Sequence, residues 1–206
     1  MASTTVWLAR HGETIWTVED KFNGLSEVEL TERGRTQAEE LGKWLEKEPL
    51  SAVYCSPLQR CIETAGLAVA HRGLSPIITP ELKELDYGLW DGMRREEIIS
   101  SYAELWKEWT RDPAAVAAPQ GETGYDVLAR VMPAIKRLVT KHAGESILVV
   151  AHKAVNRLVL CDLLGVPPRD YRRRIGQSAC ALNCIKWLNE EPFVVLVNST
   201  AHYHAL

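Results

Sequence analysis

The sequence predicts an α/β fold: a three-layer α/β/α sandwich on a mostly parallel sheet, with antiparallel strands late in the chain. Three observations carry this. β-rich runs alternate with helix-period runs from Thr5 to Gly165, the pattern of parallel strands joined by crossover helices. The run SILVVA at 146–151 is apolar at all but its first position, as expected of a strand covered on both faces. Two late runs, ACALNCIKWL and PFVVLVNS, are separated by a short connection that suits an antiparallel pair. The expectation is one domain over residues 1–206, with a lid-like helical excursion at about 80–122 lying over the active site.

The elements follow in order. TTVWLA is the first strand. Thr31 reads as an N-cap, and Ala38, Leu41 and Leu45 fall on one face of the helix that follows. SAVYCS is a second strand, and Ser56-Pro57 reads as an N-cap with an N1 proline opening a helix to about Val69. PIITP is a third strand, bounded by prolines. The segment from 80 to 122 is rich in Trp, Glu and Arg, and Trp106 and Trp109 at helical spacing read as its anchors. Thr123 and Asp126 mark a capped helix start, with Leu128, Val131, Ile135 and Leu138 as its apolar stripe and Pro133 as an expected kink. SILVVA then runs into His152 and a helix ending at Gly165.

Composition narrows the function classes. With 206 residues, 46% of them hydrophobic, the chain can build a core without disulfides or a metal. A net charge of −3 gives no global basic surface for nucleic acid or acidic lipid, so an anion site must come from a local gathering of Arg and His. No apolar stretch is long enough to span a bilayer, and MASTTVWLARHG is too short and too early charged for a signal peptide. Five cysteines without a CxxC pair read as buried reduced thiols, with Cys180 and Cys184 on one strand face. The compartment expected is the cytoplasm, and the state expected is a monomer or homodimer.

Two strands end alike, VWLA in Arg10-His11 and ILVVA in His152. In α/β sheets ligands bind beyond the carboxyl ends of the strands. Arg60 sits in the first turn of the helix after the second strand. Two arginines and two histidines around helix N-termini make a site for a dianion such as a phosphoryl group. Glu84, in LKELDYGLWDG, enters from the excursion. A carboxyl beside such a pocket can protonate a leaving oxygen and later take a proton from water. Asp86 and Asp91 compete for that role, whereas His71 and His142 read as ordinary core or surface histidines. No HExxH, no metal-spaced carboxylate cluster and no Walker A loop is present, so neither metal nor cofactor is expected.

The ordered motifs RHGET, LTERGRTQA, SPLQRCIETA, ELKELDYGLWDG and VVAHKAVNR resemble the histidine phosphatase superfamily, from residue 5 to about 202. That family includes cofactor-dependent phosphoglycerate mutases and many small-molecule phosphatases. The resemblance implies that His11 is the nucleophile and Glu84 the proton donor. It implies that Arg10, Arg60 and His152 bind phosphate, and that Asn23 and Gly24 contact phosphate or substrate. The implied activity is metal-independent hydrolysis of a small phosphorylated metabolite through a phosphohistidine. Thr17 stands where relatives often have Asn, and Lys153 where they have Gly. Lys153 either reaches a second anionic group or points to solvent. Gln177-Ser178 falls near a turn close to the pocket, and His202 in the tail is a further candidate for substrate contact. Arg169 and Arg172-Arg173-Arg174 read first as a surface patch, with a dimer contact or a substrate rim as alternatives. The alternative activities are a phosphoglycerate mutase, with Arg94-Arg95 as its basic pair, and a non-catalytic protein that binds a phosphorylated ligand.

Overall fold

The computed structural model describes residues 3–189 and 191–203. Strands β1 (Ser3–Arg10), β2 (Leu50–Cys55), β3 (Ile77–Ile78), β4 (Ser146–Ala151), β5 (Leu182–Leu188) and β6 (Glu191–Ser199) form one sheet in the order β3-β2-β4-β1-β5-β6. The first four in that order are parallel, β5 is antiparallel to β1, and β6 is antiparallel to β5.

The sheet is central because its strands are apolar on both faces. In β1, Val6 and Leu8 join one core cluster, whereas Trp7 and Ala9 join the other. In β4, Ile147, Val149 and Ala151 split from Leu148 and Val150 in the same way. The second cluster is covered by α2 (Glu32–Trp44) and α3 (Gln59–Val69), through Leu41, Leu45, Cys61 and Ala65. α1 (Ile15–Val18) is a single turn capped by Thr14. The first cluster is covered by α6 (Gly124–Lys141) and α7 (Lys153–Leu164), with the excursion packed beside them.

The excursion comprises 3-10 turns at Pro80–Leu82 and Gly88–Trp90, then α4 (Arg95–Ser101) and α5 (Ala103–Arg111). Trp106 and Trp109 anchor it as expected. Their rings, 5.1 Å apart, pack with Trp90 around Phe22 from the loop after α1. Asp91, a competitor for the acid role, instead accepts hydrogen bonds from Gly24 N (2.7 Å) and Ser26 N (2.9 Å), tying the excursion to the loop after α1. Asp86 accepts from Gly88 N and shapes the turn there.

Thr31 caps α2 and the Thr123–Asp126 box caps α6, as the sequence predicts. Three local expectations are corrected. The helix after β2 begins two residues later than Ser56-Pro57 indicates: Leu58 is the N-cap, and the Ser56 hydroxyl is drawn to His152. Cys180 lies in a turn with φ of +52° before β5 rather than in the strand with Cys184, although all five cysteines are buried and free. The buried stripe of α6 takes in Val127 with the expected Val131, Ile135 and Leu138, and Leu128 is only partly buried at its edge. The helix continues through Pro133. No helix among the described residues is long and apolar enough to cross a membrane.

Candidate active site

Parallel pairing of β1 with β4 sets Arg10 opposite Ala151. The next residues, His11 and His152, therefore leave neighbouring strands at the same carboxyl edge, with ring centroids 5.2 Å apart. The His11 ring Nδ1 lies 2.8 Å from the Gly12 carbonyl. A carbonyl only accepts, so Nδ1 carries the proton and Nε2 keeps its lone pair. Burial, then the charges of Arg10 and Arg60, hold the His11 pKa well below its usual value. The imidazole is neutral and nucleophilic.

Gly12 packs under α2. A Cβ there would lie 2.4 Å from the Gly34 carbonyl oxygen. The sequence suggests that Gly12 spares a phosphate from crowding. The structure corrects this: the glycine is needed by a backbone-to-backbone contact with Gly34. The Gly12 amide donates to Thr64 Oγ1 at 3.0 Å, and that hydroxyl donates to Arg60 O at 2.6 Å. The loop is thereby tied to α3.

Arg10 donates to Gln177 O at 3.0 Å, and Gln177 is bonded in turn to Asn183. The turn at Gln177 thus positions the arginine. Burial, opposed mainly by the charge of Glu84, lowers Arg10 to about 10. Arg60 and His152 are wholly buried and are not among the residues that line the cavity. Arg60 donates to Gly24 O (2.6 Å) and Ser26 O (2.8 Å). Gly24 therefore meets Arg60 rather than the cavity. His152 caps α7, its Nε2 lies 2.7 Å from Ser56 Oγ, and burial first, then Arg60, holds it neutral.

Glu84 sits against the N-terminus of α7. Its carboxylate accepts from Ala154 N (3.2 Å) and Val155 N (3.3 Å), and from Leu85 N (2.8 Å). These bonds and the nearby arginines favour the charged form, but burial outweighs them and the Glu84 pKa is raised. Arg130, which gave no signal in the sequence, clamps the backbone before it. Its guanidinium donates to Glu81 O, Lys83 O and Glu84 O and pairs with Glu122.

His11, Arg10 and Glu84 line one cavity of about 130 Å³. Of the other expected residues, Asn23 and Lys153 reach it, as does Thr17. His202 does not line it and meets the Tyr203 ring edge to face, with centroids 4.8 Å apart. The sequence reading missed Arg157 and underrated Arg172. Arg157 follows Lys153 at i+4 on one face of α7, a spacing visible in KAVNR. Arg172, in α8 (Tyr171–Arg174), lines the rim, whereas Arg173 and Arg174 pair with Asp170 outside it. The run is a rim at its first member only. Among the described residues no cluster of three or more His, Cys, Asp or Glu side chains is placed to hold a metal ion.

The two buried histidines make the fold acid-sensitive. Their folded pKa values are depressed below 6.5, so their stabilisation is present above that pH and is lost as pH falls below it. Each costs about 1.4 kcal/mol per pH unit there. Glu84, with its pKa raised, acts in the opposite sense and offsets part of this loss. Urea unfolding is expected to show stability falling from pH 6.5 to 5, with a shallower fall in His152→Gln. A profile that is flat over this window, or unchanged in the variant, contradicts the assignment.

Residues 6–200 match the model of the histidine phosphatase superfamily (branch 1). The chain is 34% identical over 195 residues to phosphoserine phosphatase 1 of Hydrogenobacter thermophilus, covering 95% of this chain and 92% of that protein. It is 33% identical to adenosylcobalamin/alpha-ribazole phosphatase of Escherichia coli, covering 79% and 80%. Among solved structures it superposes on Bacillus stearothermophilus YhfR with a TM-score of 0.92 and 30% identity, covering 97% and 98% of the two chains.

Proposed function

We propose, because this chain belongs to branch 1 of the histidine phosphatase superfamily, that it hydrolyses a small phosphomonoester through a phosphohistidine on His11. It is a phosphoric monoester hydrolase, as are the relatives above by name. The observation that carries the residue assignment is the His11 Nδ1–H···O=C bond to Gly12 at 2.8 Å, which frees Nε2 in a cationic cavity.

In the first step Nε2 of His11 attacks phosphorus. The N–P bond forms, the P–O bond to the leaving group breaks, and protonated Glu84 gives its proton to the departing oxygen. In the second step water attacks phosphorus, the N–P bond breaks, and Glu84 takes the proton from that water. Inorganic phosphate and an alcohol leave, and His11 and protonated Glu84 are restored. Arg10 meets the phosphoryl oxygens from the cavity wall. Arg60 and His152 act from behind it, Arg60 by its charge on His11 and Glu84, and His152 by its contact with the His11 ring. Fixed charge of this kind stabilises the transition state without reorganising. Asn23 lines the same cavity.

Of the pair Arg94-Arg95 on which the mutase reading draws, Arg95 lines the cavity and Arg94 is an exposed helix cap. The experiment is rapid-quench incubation with 32P-labelled phosphomonoesters. Acid-labile, base-stable label on the protein, decaying to inorganic phosphate, supports the proposal. No label with any of a panel of substrates returns the non-catalytic reading. Phosphate passed from bisphosphoglycerate-primed enzyme to 3-phosphoglycerate supports the mutase. The proposed setting is the cytoplasm, on the five buried thiols.

A further inference from the structure

The phosphoryl chemistry uses Arg10, His11 and Glu84, and leaves other cations of the same cavity without a task. Lys153 and Arg157 project from one face of α7, and Arg172 faces them from α8. The Arg172 guanidinium lies 4.3 Å from the centroid of the Trp109 ring and 5.6 Å from that of Phe22. Stacking of this kind fixes its plane. Neither Lys153 nor Arg157 has a hydrogen bond or ion pair to an acid among the described residues. The Arg157 Nε is buried without an acceptor. Buried donors normally have partners, and this one belongs to a residue of the cavity wall.

The charge balance points the same way. The cavity wall carries Arg10, Lys21, Arg95, Lys153, Arg157 and Arg172 against Asp20 and Glu84, and burial moves Glu84 toward its neutral form. Lys153 keeps part of its surface exposed at the rim, and partial desolvation, then repulsion from Arg10, Arg157 and Arg172, lowers it to about 8. In a chain of net charge −3 such crowding is local. A single phosphoryl dianion, met by Arg10 with Arg60 behind it, leaves the far group unmatched.

Resting on the hydrolytic reading above, we infer that the leaving group itself carries a carboxylate, and that Lys153, Arg157 and Arg172 hold it. The substrate class is a small phosphorylated hydroxy acid, a size that suits a cavity of about 130 Å³. Arg157 and Arg172 are specificity-determining residues in this assignment. Lys153, which the sequence left between a second anion and solvent, takes the anion.

The test compares kcat/KM for phosphoglycolate, its primary amide and ethane-1,2-diol bisphosphate, with p-nitrophenyl phosphate as a reporter of hydrolysis itself. The acid is expected to exceed the amide by about 100-fold, the range of a charge-assisted contact. That ratio is expected to collapse to within about 10-fold in Arg157→Met, chiefly through KM. Lys153→Met serves if the first variant melts early. Equal rates on acid and amide, or a ratio unmoved in a folded variant, overturn the inference while leaving the hydrolase reading in place. A preference for the bisphosphate over the acid also overturns it, in favour of a second phosphate. No hydrolysis of any of the four compounds overturns the hydrolytic reading instead.

Discussion

Replacing His11 by alanine is expected to lower turnover of every phosphomonoester by about 10⁴-fold or more, and to abolish the phosphorylated protein. The size of the effect follows from what the residue does. Glu84, Arg10 and Arg60 can orient and stabilise, but none of them presents a lone pair to phosphorus. The loss is therefore of the reaction path and not only of part of its stabilisation. The folded state should survive. The imidazole is buried against His152 and donates a hydrogen bond to the Gly12 carbonyl, so truncation costs about 1–3 kcal/mol. Phosphate release and 32P labelling read the first effect, and a thermal melt the second. A variant with near wild-type turnover removes His11 from the nucleophile role.

The same site shows what a sequence can and cannot disclose. His11 and His152 were legible because each ends an apolar strand, and parallel pairing of two such strands has one consequence at the carboxyl edge. Glu84 was legible through its motif, but its environment was not. The α7 N-terminus against it is a tertiary contact, seventy residues away in the chain. Gly12 was legible as a glycine and misread in purpose, since Gly34 approaches it only in the folded chain. The arginine run at 172–174 hid a distinction that depends on which side chain meets the Trp109 ring. Arg130 was silent altogether, because a guanidinium that clamps carbonyl groups leaves no pattern in side-chain types. The fold needed only periodicity and strand composition. The rim needed the positions of aromatic rings contributed by the excursion.

Replacing Glu84 by glutamine is expected to produce a loss that depends on the leaving group, and this separates its two roles. An alkoxide cannot depart without a proton, so the rate on an alkyl phosphate should fall by about 10²–10⁴-fold. A p-nitrophenolate departs unaided, so phosphorylation of His11 by p-nitrophenyl phosphate should be little changed. The following attack by water still lacks its base. The variant should therefore show a burst of p-nitrophenol and accumulate phosphohistidine, where the wild type turns over steadily. The pH profile supplies a second reading. Burial raises the Glu84 pKa, so the fraction of the acid form in the free enzyme falls only as pH rises through that elevated value. Wild-type kcat/KM on an alkyl phosphate should decline there, and Glu84→Gln should lose this alkaline limb. The amide keeps one acceptor for the backbone N–H groups of Leu85, Ala154 and Val155 but turns an NH2 toward donors. A cost of about 1–3 kcal/mol in stability is expected, and it is measured separately by melting. An alkyl phosphate hydrolysed at the wild-type rate, with no burst from p-nitrophenyl phosphate, transfers the acid–base role elsewhere. Asp86 and Asp91 are poor heirs, since their carboxylates already hold the turn at Gly88 and the loop at Gly24 and Ser26.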